Sequence, residues 1–386
     1  MTYRTRTRTR TRTRTRTRTR IISAFLFVSL AALPAAQAAE PRAVTVVRGL
    51  VSPWALAFLP DGRMLVTERP GRLRIVTADG KLSELVPGLP AVVATGQCGL
   101  LDVAVDPKFA DNQRIYWSFA EAAEGGAAGN GTAVARGRLD DKNRLVDVQV
   151  IFRQMPKVSS SLHCGSRIVF GRDGRLLVGL GDRFSRKDDA QTLDNHLGKV
   201  VRIDADGRAP ADNPFVATAG ALPEVFSRGH RNIQGLALHP QSGELWASEH
   251  GPQGGDEINV VDAGRNYGWP LLTYGRNYGS GTRIGDEGPK AGFEQPLKWW
   301  LPTSIAPSGL AFVTSDRYPG WKGSLLVGAL RGQMLVRLLL DGRKVVAEER
   351  LLSLLNVRIR DVRQGPDGFV YIVTEGADGQ VMRLEP

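Results

Sequence analysis

The sequence predicts an all-β protein, a six-bladed β-propeller of four-stranded antiparallel blades. One phrase recurs six times along the chain, at 61–68, 112–119, 173–180, 242–249, 322–329 and 367–374. Each copy starts with a tight-turn pair or a polar corner, such as Asp-Gly, and continues as a short apolar or aromatic strand. The repeat of roughly 60 residues fits a blade with uneven loop insertions. No amphipathic helix is evident in the sequence.

The arrangement of the repeats favours one closed domain over residues 39–386. Two β-sandwiches are the alternative, but six similar phrases favour radial repetition. The run VTVVRG at 44–49 is expected to close the last blade beside QVMRLEP at 380–386. In such a ring, the interior turn of each repeat is expected to face the mouth of a central channel, where loops from all blades converge. Residues that are far apart in the sequence are then expected to meet there.

The first 38 residues resemble a cleaved secretory signal peptide. Residues 1–20 contain nine arginines and no acid, and the apolar run IISAFLFVSLAAL follows. Ala36 and Ala38 form an A-x-A cleavage site, which places the cut after Ala38 and the protein in the periplasm or outside the cell. The run is shorter than the roughly 20 residues of a membrane span, so no stable membrane insertion is expected.

Most of the basicity of the chain belongs to this segment. Cleavage removes nine positive charges from a net charge of +12 and leaves +3. Nucleic acid is therefore not an expected partner. The sequence also has no HExxH, CxxC, phosphate-loop or G-x-S-x-G motif, so zinc hydrolysis, thioredoxin chemistry, nucleotide binding and serine hydrolysis are unsupported.

Several histidines and arginines stand where predicted strands begin or end. His163, His230 and His250 are candidates for function, whereas the two other histidines, at 196 and 239, lie in ordinary loop contexts. Arg231, Arg331, Arg358 and Arg360 occupy similar places in the repeats. Each arginine alone is more simply a solvated side chain. Together they indicate a small polyanionic ligand, because guanidinium groups bind carboxylates in pairs.

The stretch EHGPQGGDEINVVDAGRNYGWP at 249–270 is irregular and rich in glycine and acids. A solvated loop tolerates such a composition. The alternative is a loop whose backbone carbonyls and acids face a cation, since Ca²⁺ accepts many oxygen ligands in flexible geometry.

The motifs taken together resemble a known family, the soluble quinoprotein glucose dehydrogenases, and most closely the PQQ-dependent aldose sugar dehydrogenases. The resemblance covers nearly all of 43–386, in order. It rests on GQCGLLDVAVDP, HCGSR, AQTLDNHLGKVVRI, GHRNIQGLALHP, EHGPQGGDEIN, NYGWP and RIRDVRQGPDG. It implies oxidation of aldoses at C1 to lactones, with hydride passing to PQQ and electrons then passing to a quinone, cytochrome or dye.

The resemblance also implies roles for individual residues. His163 corresponds to the general base that takes the proton of the C1 hydroxyl, and Gln97 to a cofactor contact. Arg231 and Asn232 correspond to the pair beside the quinone, where the arginine stabilises oxyanion charge. These roles suit an imidazole and a guanidinium.

The remaining implied ligands are carboxylate partners and metal ligands. Arg358 and Arg360 match the pair at the PQQ carboxylates, and Arg331 stands where relatives often have lysine. The metal ligands implied are the carbonyls of Gly251 and Pro252 for a calcium ion at the cofactor, and Glu257 with the Tyr267 carbonyl for a second, structural calcium ion.

Two departures from the family pattern carry further expectations. Leu162 replaces an aspartate of the glucose dehydrogenases, so another group must orient His163. Cys98 and Cys164 follow Gln97 and His163, and we hypothesise that they form a disulfide, the alternative being two buried thiols. Two other functions stay open, a calcium-dependent propeller sugar lactonase without a quinone and a non-enzymatic propeller binding module.

Overall fold

The computed structural model describes residues 1–3, 5, 7–9 and 40–386. Within 40–386 the chain forms six sheets, each of four antiparallel strands. The strands in chain order are β1 Arg42–Leu50, β2 Pro53–Phe58, β3 Met64–Glu68, β4 Arg72–Val76, β5 Leu82–Leu85, β6 Leu100–Val105, β7 Arg114–Ala122, β8 Asn130–Leu139, β9 Leu145–Arg153, β10 Ile168–Phe170, β11 Leu176–Gly179, β12 Lys199–Ile203, β13 Val225–Arg228, β14 Ile233–Leu238, β15 Leu245–Glu249, β16 Asp256–Val261, β17 Lys298–Trp300, β18 Pro307–Phe312, β19 Leu325–Ala329, β20 Met334–Asp341, β21 Lys344–Leu351, β22 Ile359–Gln364, β23 Val370–Thr374 and β24 Gly379–Glu385. The helices are short, namely α1 Phe109–Asn112 and 3₁₀ turns at Glu124–Gly126, Lys187–Gln191 and Ser353–Leu355.

The six sheets are the blades of a closed propeller. The first strands of the blades are β2, β6, β10, β14, β18 and β22. Each first strand contacts the first strand of the next blade, and β22 contacts β2, so these strands form a ring around the axis. The predicted six-bladed propeller of four-stranded antiparallel blades is confirmed.

Strand β1, the first strand of the propeller, completes the last blade. Strand β1 pairs with β24 as its outermost strand, with Arg42 opposite Glu385 and Thr45 opposite Met382. The predicted pairing of VTVVRG with QVMRLEP is therefore confirmed. Pairing the two ends of the chain in one sheet fixes the ring, because neither half of that blade is complete alone.

The repeated phrase is the second strand of each blade. Its six copies contain β3, β7, β11, β15, β19 and β23. The turn that starts a copy joins the first strand to the second, and Gly62 and Gly174 have φ of 85° and 78° there. Since the strands are antiparallel, the end of the second strand lies beside the start of the first, at the opposite end of the blade from this turn.

The hydrophobic core is divided among the six interfaces between neighbouring blades. For example, Leu56 and Val66 of the first blade pack against Val373 and Val381 of the last blade. The five other clusters fill the remaining interfaces in the same way. The blades are therefore held together by flat apolar contacts rather than by one common core.

Buried ion pairs occupy the centre of the ring. The Arg167 guanidinium is 3.2 Å from a carboxylate oxygen of Asp102 and 3.0 Å from one of Asp361. Arg363 pairs with the same two acids, at 3.2 and 3.1 Å. Arg167 also donates to the Gln234 carbonyl at 2.6 Å. This network joins the innermost strands of blades that are distant in the sequence.

The predicted signal peptide, residues 1–38, lies outside the described residues except for 1–3, 5 and 7–9. Among the residues with a described placement, no helix combines the length and apolar character that crossing a bilayer requires.

Substituting Arg167 tests how much the fold depends on the central ion pairs. Arg167→Met leaves Asp102 and Asp361 buried with one cation between them, so we expect a loss of about 3–5 kcal/mol in the free energy of unfolding. Urea denaturation of the purified protein measures this loss. The control is Arg175→Met, which removes ion pairs to Asp173 and Asp204 near the surface. Equal losses in the two variants would contradict the assigned importance of the central network.

Candidate functional site

A cavity of about 370 Å³ lies at the end of the propeller where the first strands begin and the second strands end. All six blades contribute to its wall, represented in blade order by Trp54, Gln97, Cys164, His250, Leu330 and Arg360. The volume is within the range of pockets that hold small molecules or cofactors. Distant residues do converge at one channel mouth, but the expectation that the repeated turns face it is wrong, because the cavity lies at the opposite end of the blades from those turns.

His163 leads into β10 and is 5% exposed. Its backbone has a φ of 48°, which is unusual for a residue other than glycine. Gly165, two residues later, allows close approach of the chain, since a Cβ there would lie 2.7 Å from the Gly179 carbonyl oxygen. The resulting tight segment presents the His163 ring to a second, smaller pocket.

Asp182 orients His163, a role that the sequence analysis did not assign. Nδ1 of His163 is 2.6 Å from one carboxylate oxygen of Asp182. The same oxygen accepts the backbone N–H of Phe184 at 2.7 Å, and the other oxygen accepts the indole N–H of Trp269 at 2.7 Å. Asp182 follows β11, at the end of a second strand. An acid shortly after a repeated strand is a signal available in the sequence, because Glu375 likewise follows the second strand of its blade.

The surroundings keep His163 neutral. Burial lowers the pKa of His163, Asp182 acts to raise it through the hydrogen bond, and the charge of Arg231 lowers it further. Because Asp182 accepts the Nδ1 proton, Nε2 carries the free lone pair. Burial alone would raise the pKa of Asp182, but its bond to His163 leaves it below the ordinary value, so the carboxylate stays ionised.

Arg231 and Asn232 lie just before β14, next to His163 and the stretch at 249–270. Arg231 Nη1 donates to the carbonyls of His250 at 3.0 Å and Gly251 at 2.6 Å. Its guanidinium also stands 5.2 Å from the centre of the Trp269 ring. Within the described residues, Nε of Arg231 and Nδ2 of Asn232 are buried without a hydrogen-bond partner. Unpaired buried donors of this kind suit a ligand rich in acceptor oxygens.

Arg358 and Arg360 both line the large cavity, as does Glu375. Their guanidinium groups pair with Glu375 at 2.7 and 2.8 Å. Burial acts to raise the pKa of Glu375, but Arg360 and Arg358 together hold it at about 2. Arg360 also donates to the Gln234 side chain at 3.0 Å. One carboxylate between two arginines leaves one net positive charge on this wall.

Of the six predicted cofactor residues, Gln97, Arg358 and Arg360 line the large cavity, whereas Arg231, Asn232 and Arg331 do not. Arg331 is exposed and is not part of the cavity wall, whereas its neighbour Leu330 is. Gln97 does line the cavity, and its side-chain oxygen accepts the backbone N–H of His163 at 2.8 Å. The hypothesised disulfide between Cys98 and Cys164 is present. The hydrogen bond and the disulfide thus join the loops that carry Gln97 and His163.

The other histidines have separate structural settings. His230 is buried with both ring nitrogens bound, Nδ1 to Glu249 at 3.1 Å and Nε2 to the Ser227 hydroxyl at 2.8 Å. Burial and the charges of Arg360 and Arg231 lower the pKa of His250 to about 3, and its Nε2 bonds the Pro307 carbonyl at 2.8 Å. These bonds assign His230 and His250 to the framework of the site rather than to proton transfer.

Three of the four predicted metal ligands line a void of about 10 Å³, which is the size of a single water or ion, whereas the fourth, Pro252, lines the smaller pocket beside His163. Gly251, Glu257 and Tyr267 line it, together with Glu249. Burial and the neighbouring Glu249 charge raise the pKa of Glu257 well above its ordinary value. In the described part of the chain, no group of three or more His, Cys, Asp or Glu side chains is arranged to hold a metal ion. A cation here would need backbone and amide oxygens in addition to these acids.

The smaller pocket beside His163 has a volume of about 120 Å³. Its wall is partly aromatic, and the residues that face it besides His163 and Asp182 are Phe184, Lys187, Arg231, Pro252, Trp269, Asn277, Tyr278 and Ile284. His163 therefore lines the smaller pocket, while the next two residues, Cys164 and Gly165, line the large cavity.

Comparison with known proteins gives matches over almost the whole chain. Residues 50–383 match the glucose/sorbosone dehydrogenase family. Aldose sugar dehydrogenase YliI of Escherichia coli (strain K12) is 45% identical over 369 residues, which cover 94% of this chain and 98% of that protein. The similarity therefore includes every blade.

Solved structures agree with this result. A crystal structure of a glucose dehydrogenase is 49% identical, with a TM-score of 0.86, and the match covers 90% of this chain and 100% of that one. The PQQ-bound form of an aldose sugar dehydrogenase from Streptomyces coelicolor is 32% identical, with a TM-score of 0.75 and coverage of 90% and 98%.

Substitution of Asp182 tests how His163 is held. In Asp182→Asn the hydrogen bond that favours the protonated imidazole is weakened, so we expect the pKa of His163 to fall further. NMR titration of the His163 ring measures the shift. The control is Asp173→Asn, at the far turn of the same blade, which should leave the titration in place. An unchanged or raised pKa in Asp182→Asn would contradict the proposed contact.

Proposed function

Since this chain belongs to the glucose/sorbosone dehydrogenase family, we propose that it is a PQQ-dependent aldose sugar dehydrogenase. It oxidises aldoses at C1 to lactones and passes the electrons to an external acceptor, which is a quinone, a cytochrome or a dye. The observation that carries this proposal is a buried, neutral histidine that is held by Asp182, lines the smaller pocket and directly precedes two residues in the wall of the large cationic cavity.

The large cavity fits a flat polyanion such as PQQ, which has three carboxylates. Arg358 and Arg360 would hold carboxylates on one wall, and Gln97 would contact the cofactor on another. Arg231, which lines the smaller pocket rather than the large cavity, and Asn232 would supply buried donors that lack partners among the described residues. Arg331 would need to move from its exposed position to take part. When bound, PQQ would supply the acceptor for the hydride that leaves C1 of the sugar.

His163 would act as the general base. Its Nε2, free of the bond to Asp182, would take the proton of the C1 hydroxyl of a sugar in the smaller pocket. Asp182 would then stabilise the imidazolium that forms. Arg231, held against the carbonyls of His250 and Gly251, would stabilise negative charge that develops on oxygen.

We also propose calcium at two places in this region. A structural ion would relieve the repulsion between Glu249 and Glu257 at the small void, with the Tyr267 carbonyl as a further ligand. An ion at the cofactor would use the carbonyls of Gly251 and Pro252. In the structure the Gly251 carbonyl accepts the hydrogen bond from Arg231, so its second lone pair would face the ion.

The lactonase alternative uses acids from several blades around a metal in the channel. Among the residues that the structure describes, the acids near the axis are paired with arginines instead, and no acid cluster of that kind occurs. A binding module without chemistry would not require the orienting contact between Asp182 and His163. Neither alternative has an observation in its favour.

Residues 1–38 would direct the protein to the periplasm, with residues 39–386 as the catalytic domain. Fractionation of expressing cells followed by N-terminal sequencing tests this: the expected sequence begins at Ala39. A full-length chain that stays in the cytoplasm would contradict the proposed export.

The decisive experiment for the function is a titration of the mature protein with PQQ in the presence of calcium. The absorbance of the bound quinone and the reduction of a dye by several aldoses are followed together. Tight binding with sugar-dependent reduction is expected. Absence of binding would overturn the cofactor proposal and favour the lactonase hypothesis.

Removing the base gives a quantitative prediction. His163→Ala should lower kcat by about 10²- to 10⁴-fold, because proton abstraction loses its acceptor. PQQ should still bind, since the arginines remain. Dye reduction and the absorbance titration measure the two properties separately. Retained activity in this variant would refute the assignment of the base.

Calcium removal gives a second prediction. In the absence of a cation, the pKa of Glu257 is raised in the folded protein, so the protonated side chain contributes to folding stability at acid pH. That contribution is lost as the pH rises through the raised pKa. Calcium at a hundred times its Kd should add about 2.7 kcal/mol to the free energy of unfolding near neutral pH. Denaturation with EGTA and with calcium measures this gain. Glu257→Gln should respond less, and an equal response would place the ion elsewhere.

A further inference from the structure

The disulfide between Cys98 and Cys164 is next to the residues that are proposed to contact the cofactor and the substrate. Cys98 follows Gln97 and Cys164 follows His163 in the sequence, so the bridge joins the segments that lead into β6 and β10. Both cysteines are buried, and Cys164 forms part of the wall of the large cavity. The bridge therefore links two neighbouring blades at the site itself.

The segment that carries His163 needs restraint from its surroundings. His163 and Ser166 have φ of 48° and 95°, values that residues with a side chain rarely adopt. The partner segment supplies hydrogen bonds: the Gln97 side chain accepts the His163 N–H, and the Gln97 N–H donates to the Ser161 carbonyl, both at 2.8 Å. The disulfide runs beside these bonds and keeps their partners together.

Arg183 connects the bridge to the residue that orients the base. Its buried guanidinium contacts both sulfur atoms, with Nη1 3.1 Å from Sγ of Cys98. Its Nη2 donates to the Asn130 side chain at 2.7 Å and to the Ser160 carbonyl. Arg183 immediately follows Asp182, so movement of the sulfurs would reach Asp182 as well as His163. The contacts to Asn130 and Ser160 do not depend on the bridge and would keep the loop folded without it.

We propose that the Cys98–Cys164 disulfide is a positioning device for the site. It holds Gln97 and His163 in fixed register, and through Arg183 it steadies Asp182. The part of this proposal that concerns the cofactor rests on the proposed function, whereas the part that concerns the register of the two loops does not.

Hydrogen exchange tests the register of the loops without reference to the cofactor. The mature protein is compared in its oxidised form, after reduction, and as Cys98→Ser/Cys164→Ser. We expect faster exchange of amides at 161–166 in the last two samples and unchanged exchange in β19, in the distant fifth blade. Adding reductant to the double serine variant is the control and should change nothing. Unchanged exchange at 161–166 would overturn the proposal.

Cofactor titration tests the consequence for the site. In the reduced protein and the double variant, the Kd for PQQ should rise and kcat should fall by about ten- to a hundredfold, because small displacements of reacting groups are costly. A bridge that only stabilises the fold would lower the unfolding temperature and leave the Kd and the exchange at 161–166 unchanged, which would refute the proposal. Failure of the oxidised wild type to bind PQQ would instead refute the proposed function, and hydrogen exchange would still decide the role of the bridge. If the double variant does not fold, reduction of the folded wild type supplies both measurements.

Discussion

The buried charge of Arg167 is the interaction on which the centre of this propeller depends. Its guanidinium reaches Asp102 of the second blade, Asp361 of the sixth and the Gln234 carbonyl of the fourth, and it lies 4.1 Å from the ring of Trp54 in the first. A propeller has no single apolar core, because its hydrophobic clusters lie between the blades. Polar groups of the inner strands near the axis therefore need hydrogen-bond or ion-pair partners. A buried cation between two acids provides such partners, although burying these charges costs desolvation free energy. The network ties the inner strands into one register, and the cavity wall follows from that register.

A second constraint comes from antiparallel pairing within each blade. The end of the second strand lies beside the start of the first strand, so an acid at one position meets a base at the other. Asp182 meets His163 in this way, and Glu375 meets Arg360. In the fourth blade the corresponding pair is Glu249 and His230, and His230 takes no part in the proposed chemistry. The same local geometry thus supplies an oriented histidine, a partly neutralised cationic wall and a structural support.

Charge and burial act together on His163. Burial and the nearby Arg231 favour the neutral imidazole, whereas the ionised Asp182 fixes its tautomer and would stabilise the imidazolium. A base that is uncharged before the reaction and stabilised after it suits proton abstraction near neutral pH. Buried donors on Arg231 and Asn232 that lack partners in the described structure complete an environment made for oxygen-rich ligands.

The sequence by itself determined the number of blades, the closing strand and the segments that form the site, because turn residues and strand patterns act locally and the repeat makes them visible. His163, Arg358 and Arg360 stand out in the sequence at strand starts, and the family resemblance adds Gln97. The structure places Gln97, Arg358 and Arg360 in the wall of the large cavity and His163 in the neighbouring smaller pocket. Only the tertiary structure decided which groups touch. Asp182 orients His163 across 19 residues of chain, Glu375 pairs with both Arg358 and Arg360, and Arg331 lies outside the wall of the large cavity. Such contacts depend on distances between strands and blades, and the one-dimensional pattern contains no measure of those distances.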